Sequence, residues 1–139
     1  MKKSYQELKK VAHLHYNDAA YCTVIAVAAA CEVSFGKAQA ALARAGRKHR
    51  QGATMAQMQA AMVELGYCMV QHPVKAKTPL TLLKNGELDD SRTAVVEVQK
   101  HVSVIRQGEW VDHEKTQRKR IWQVGLVHRL PTNERMEEA

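Results

Sequence analysis

Residues 19–31 read AAYCTVIAVAAAC, the longest uncharged apolar run in the chain. The run is too short to cross a bilayer, which takes about 20 apolar residues in a helix. It is apolar on every side, and a helix without a polar face belongs in the middle of a domain. Its end, Ala29-Ala30-Cys31, has some likeness to a lipoprotein cleavage site. Against that stand the long preceding segment with Glu7 and Asp18, and Ala28 where a large aliphatic residue is usual. The run therefore reads as a buried helix, with secretion as the minor alternative.

A helix buried all round needs cover from several neighbours. Upstream, SYQELKKVAH (residues 4–13) sets Tyr5, Leu8 and Val11 or Ala12 on one stripe, the pattern of a short amphipathic helix. Tyr16-Asn17-Asp18 breaks it and is placed to cap the next. Downstream, Ser34 is an N-cap for a helix over Phe35–Ala45, and Gly46 stands where a glycine ends one. After the basic loop GRKHRQGA (46–53), Thr54-Met55-Ala56-Gln57 has capping-box spacing. The helix it opens carries Met55, Met58, Met62 and Leu65 on one core-facing side and stops at Gly66.

The second half changes period. Tyr67–Val74 reads as a strand ended by Pro73, and Pro79 starts a short helical piece through TLLKN, closed by Gly86. TAVVEV (93–98) is β-rich. His101–Arg106 alternates, Gln107-Gly108 turns, and Trp110–His113 returns as a hairpin, with a last strand over Ile121–His128. Helices precede strands, so the fold class is α+β. One domain is expected over 1–130: an N-terminal helix (1–14), a helical half (15–66) and a sheet half (67–130), with a polar tail at 131–139.

Composition narrows the function classes. The chain has 139 residues, 45% hydrophobic and 25% charged, enough for a packed core and against disorder. Three cysteines, an odd number, argue against a disulfide scaffold and for a reducing, cytoplasmic setting, or a virion if the source is a phage. The net charge of +7 suits nucleic acid, an anionic membrane or an acidic protein. It gathers in two clusters, Arg44, Arg47, Lys48, His49, Arg50 and Lys115, Arg118, Lys119, Arg120. Without interleaved aromatics these read first as solvated loops, and the lack of acidic residues near Arg47–Arg50 hints at an acidic partner.

The chemistry centres on Cys22. It starts the buried helix, where unpaired backbone N–H groups and the helix dipole stabilise negative charge on sulfur. Cys31 lies half a turn round the same helix, so Cys31 and Cys68 read as packed hydrophobes. A thiolate nucleophile needs a base. A two-residue turn at Gln107-Gly108 pairs Ser103 with Asp112, which makes His101 and Asp112 diagonal neighbours on one sheet face. Asp112 can then hold the imidazole while the other ring nitrogen faces Cys22. A one-residue slip would separate them. The Cys22 backbone N–H and the Asn17 side-chain amide are the oxyanion donors in view, and Asn17 reads equally as a helix cap. His13, His15 and Cys22 are possible metal ligands, but no CxxC, HExxH or PCxxC supports a metal, and no cofactor is expected.

Residues 17–54, NDAAYCTVIAVAAACEVSFGKAQAALARAGRKHRQGAT, followed by HVSVIRQGEWVD at 101–112, resemble small papain-like cysteine peptidase domains of the bacterial and phage type. Bacteriocin-leader peptidases share the broad layout. The points of likeness are a Cys opening an Ala-rich helix, Ser34-Phe35 introducing the next, Gly46-Arg47, Gly52-Ala53-Thr54, a strand opened by His101 and an Asp after the returning strand. The resemblance implies a papain-like fold with a helical half packed on an antiparallel sheet, Cys22 as nucleophile, His101 as base and Asp112 as its orienter. Two positions depart from the pattern: Tyr21 stands where relatives often carry a polar residue, and Tyr16 stands where larger relatives carry the oxyanion Gln. Two functions follow as expectations. One is a thiol hydrolase cleaving an amide or isopeptide bond of a peptide or protein. The other is an inactive module on the same fold that binds an acidic partner or nucleic acid through its basic residues.

Overall fold

A computed structural model describes residues 4–15, 21–112 and 114–131. Four helices come first: α1 (Tyr5–His15), α2 (Cys22–Cys31), α3 (Phe35–Arg44) and α4 (Met55–Glu64). Then follow β1 (Tyr67–Gln71), α5 (Pro79–Lys84), β2 (Thr93–Val98), β3 (His101–Arg106), β4 (Glu109–Val111), a 3-10 turn at Glu114–Arg118 and β5 (Ile121–Arg129). The strands form one antiparallel sheet in the order β1-β5-β2-β3-β4. The mixed α+β class is as expected.

The local signals act as their chemistry dictates. Ser34 Oγ accepts from the Lys37 N–H at the head of α3. Thr54 and Gln57 exchange both bonds of a capping box at the head of α4. Thr78 caps α5 with Pro79 in its first turn. In α2 every residue from Thr23 to Cys31 is buried, so this helix owes its stability to packing rather than to a cap or to charge pairs. Leu8 and Ala12 of α1, Phe35 and Leu42 of α3, and Met58 and Met62 of α4 surround it, with Val95, Val102, Val104 and Val111 of the sheet. The methionine stripe is thus core. No single helix among the described residues is long and apolar enough to cross a membrane.

Some boundaries move. β1 stops at Gln71, although the His72 N–H still donates to the Val124 carbonyl at 2.8 Å before Pro73 removes the next donor. The return strand runs over Glu109–Val111, and His113 lies outside the described residues, as do 132–139 of the tail. β3 does not alternate between core and solvent: every residue from Val102 to Arg106 is buried. A second apolar cluster explains this, because Ala76, Leu82 and Leu88 cover Ala94, Val96, Val98, Ile105 and Val124. The middle of the sheet, β2 and β3, is buried on both faces.

The β3–β4 register is Val104↔Val111, Ile105↔Trp110 and Arg106↔Glu109. Gln107 (φ 51°) and Gly108 (φ 81°) both lie at positive φ, the signature of a type I′ hairpin turn. Glycine adopts this freely, whereas glutamine does so under strain. Gln107→Asn is expected to raise the unfolding free energy by about 0.5–1 kcal/mol in urea titrations, and an unchanged midpoint would show that the turn carries no such strain.

Candidate active site

Three side chains distant in sequence meet at the rim between the helices and the sheet. Cys22 is the first residue of α2 and is partly exposed. The residue before it, Tyr21, makes no side-chain capping bond to the first turn of α2. His101 is the first residue of β3, delivered by a two-residue turn in which Lys100 takes φ 58°. Asp112 follows β4, one step beyond the Val104↔Val111 pair and therefore opposite Ser103.

The His101 ring bridges the other two. Its Nε2 is hydrogen-bonded to Asp112 Oδ2, and the ring lies near enough to the Cys22 side chain to interact with it. With Nε2 taken by the carboxylate, Nδ1 is the ring nitrogen left for the sulfur. Burial alone would push the imidazole toward its neutral form. The bonds to Asp112 and Cys22, together with their negative charge, outweigh it and raise the His101 pKa from 6.5 to about 9. The Asp112 side chain is 1% exposed, so its charge acts in a poorly screened setting. Cys31 is different in kind: wrapped in hydrocarbon, its thiol is pushed up to about 12.

No family model, curated protein or solved structure matches this chain.

Beside Cys22 and His101 opens a cleft of about 220 Å³. Ala53, Met55 and Val102 give it an apolar wall, and Trp122, 58% exposed, stands at its edge.

Sequence reasoning brought Cys22, His101 and Asp112 forward, and the structure brings their side chains together. Asn17 lies outside the described residues, as do the side chains of His13 and His15, and no metal-holding group of His, Cys, Asp or Glu occurs among the described residues. Two participants were missed. Ser103 Oγ donates to Asp112 Oδ2, and the register that set Ser103 opposite Asp112 was the available signal. Tyr5, placed in the α1 stripe, shares a hydrogen bond with Tyr21 and stays firmly protonated. Burial is the main cause, and the charge of Asp112 adds to it. Nothing in its local sequence marks that contact.

The first basic cluster is less available than expected. Arg47 is 5% exposed, so it is a buried residue and not part of a solvated loop. Arg44 forms a two-pronged pair with Glu64, both bonds 2.6 Å. The exposed basic residues of the two clusters are Lys48, Arg50, Lys115, Arg118, Lys119 and Arg120.

Proposed function

We propose that the protein is a papain-like thiol hydrolase that cleaves an amide or isopeptide bond in a peptide or protein. The observation that carries this reading is the His101 ring, hydrogen-bonded to the buried Asp112 carboxylate and lining the same cleft as the Cys22 thiol. A buried Ala-rich helix that carries a cysteine at its head, packed on an antiparallel sheet that supplies histidine and aspartate, supports the papain-like assignment. Three free thiols fit a reducing, cytoplasmic setting.

The chemistry follows from the geometry. His101 takes the Cys22 proton, and the sulfur attacks the substrate carbonyl carbon. The carbonyl oxygen gains negative charge, and N–H groups at the head of α2, that of Cys22 first, are placed to receive it. The imidazolium, steadied by Asp112, gives its proton to the leaving nitrogen, and the C–N bond breaks. The thioester that remains is hydrolysed by a water whose proton passes to His101, which frees the acid and restores the thiol.

Competition among the three thiols tests this without a known substrate. Iodoacetamide at neutral pH is expected to label Cys22 at least about tenfold faster than Cys31 or Cys68, because reactivity follows thiolate character and access. Equal labelling of Cys22 and Cys68 would remove the nucleophile and with it the hydrolase. Cys22→Ala, with Cys31 and Cys68 intact, should then carry no fast-reacting thiol.

A further inference from the structure

A carboxylate that orients a histidine must itself be held. Asp112 sits just past the end of a three-residue strand, where the backbone alone fixes it weakly. Its Oδ2 accepts from two donors, His101 Nε2 and Ser103 Oγ. Ser103 Oγ also lies 3.2 Å from His101 Nε2, so the three groups close a triangle. Ser103 is 3% exposed, in the middle of β3, two residues after His101 and on the same side of the strand.

Packing does not ask for a hydroxyl here. Val96 opposite it on β2 and Ile105 two residues on along the same face are buried and apolar, and an alanine would fit with no polar atom to satisfy. A buried hydroxyl is tolerated when it finds a partner, and this one finds the carboxylate of the site.

We infer that Ser103 is a positioning residue: its hydroxyl holds the Asp112 carboxylate in the orientation that keeps the His101 ring aimed at Cys22. The inference rests on reading Cys22, His101 and Asp112 as a catalytic triad. Ser103 is bonded to Asp112 and His101 and is not among the residues that line the cleft, so it acts through Asp112. Its donated bond also draws off part of the carboxylate's charge. Without that bond Asp112 swings more freely and pulls harder on the imidazolium proton.

The test compares the full-length wild-type chain with Ser103→Ala and Ser103→Thr, using iodoacetamide on Cys22 from neutral to alkaline pH. Ser103→Ala is expected to slow Cys22 alkylation at neutral pH by roughly tenfold, the scale of one hydrogen bond to a charged group, and to move the alkaline inflection of the profile upward. Ser103→Thr, which keeps the hydroxyl, should restore both. The low-field proton resonance of His101 Nε2–H gives a readout independent of alkylation, and it should shift or broaden in the alanine variant and persist in the threonine variant. An alanine variant with wild-type rate, inflection and resonance overturns the inference while leaving the triad standing. So does one that is merely less stable, with inflection and resonance unmoved. If wild-type Cys22 reacts no faster than Cys68, the triad reading has failed first, and Ser103 falls with it.

Discussion

His101→Ala is expected to slow alkylation of Cys22 at neutral pH by about a hundredfold, the lower end of what a positioned base contributes, and to leave Cys31 and Cys68 unchanged. The ring stands between Cys22 and Asp112, so its loss takes the base away from the sulfur. The same variant should alter how stability depends on pH. A histidine whose folded-state pKa is raised from 6.5 to about 9 stabilises the fold fully below 6.5, and loses that contribution as pH climbs toward 9. Wild-type protein should therefore lose more stability than the alanine variant across that window, in paired urea titrations at several pH values. Parallel pH curves for the two proteins would mean that the imidazolium is not held as the structure has it. An unchanged alkylation rate would remove His101 as the base.

Phe35→Ala carries the largest expected loss of stability, about 4 kcal/mol, the usual cost of emptying a fully buried phenylalanine site. Phe35 is 1% exposed and is the sole phenylalanine of the chain. It opens α3 directly after the Ser34 cap and fills the cluster around α2, where most neighbours are alanine or valine. Small residues pack closely but cannot expand into a vacated volume, so the cavity should persist. Against a total stability of about 5–15 kcal/mol this is a large share. Thermal unfolding should fall by roughly 10–20 °C, whereas Val63→Ala, at a site 48% exposed, should change little. A Phe35→Ala shift as small as that of Val63→Ala would show that the helical core is not organised around this ring.

Much of the fold was legible because its signals are local. Capping chemistry at Ser34 and Thr54, the unbroken apolar face of α2 and the Gln107-Gly108 turn each depend on residues within one turn of one another. The hairpin mattered most, since turn length set the register and the register joined His101 to Asp112. What stayed hidden depends on distant partners. β5 pairs with β1 and β2, and no local pattern says which strand lies beside which. The second apolar cluster on β3 comes from Ala76, Leu82 and Leu88, separated from it in sequence, so the strand read as half-exposed. Arg47 carries the composition of a loop residue and is buried by tertiary packing. Tyr5 reaches the Asp112 neighbourhood only because α1 folds back over the site. The candidate site divides the same way: its three principal residues came into view from helix position, hairpin spacing and the family resemblance, and the groups that steady them did not.

The position of α2 in the chain has a consequence for biosynthesis. Its hydrocarbon faces are complete once Cys31 has been made, yet the valines of β3 that cover it come some seventy residues later. At ribosomal speeds of about 5–20 residues per second, the nascent helix waits roughly 4–14 s for its lid. In that interval it is a natural client for chaperones that shield greasy segments, and slow translation ahead of β3 would lengthen the exposure.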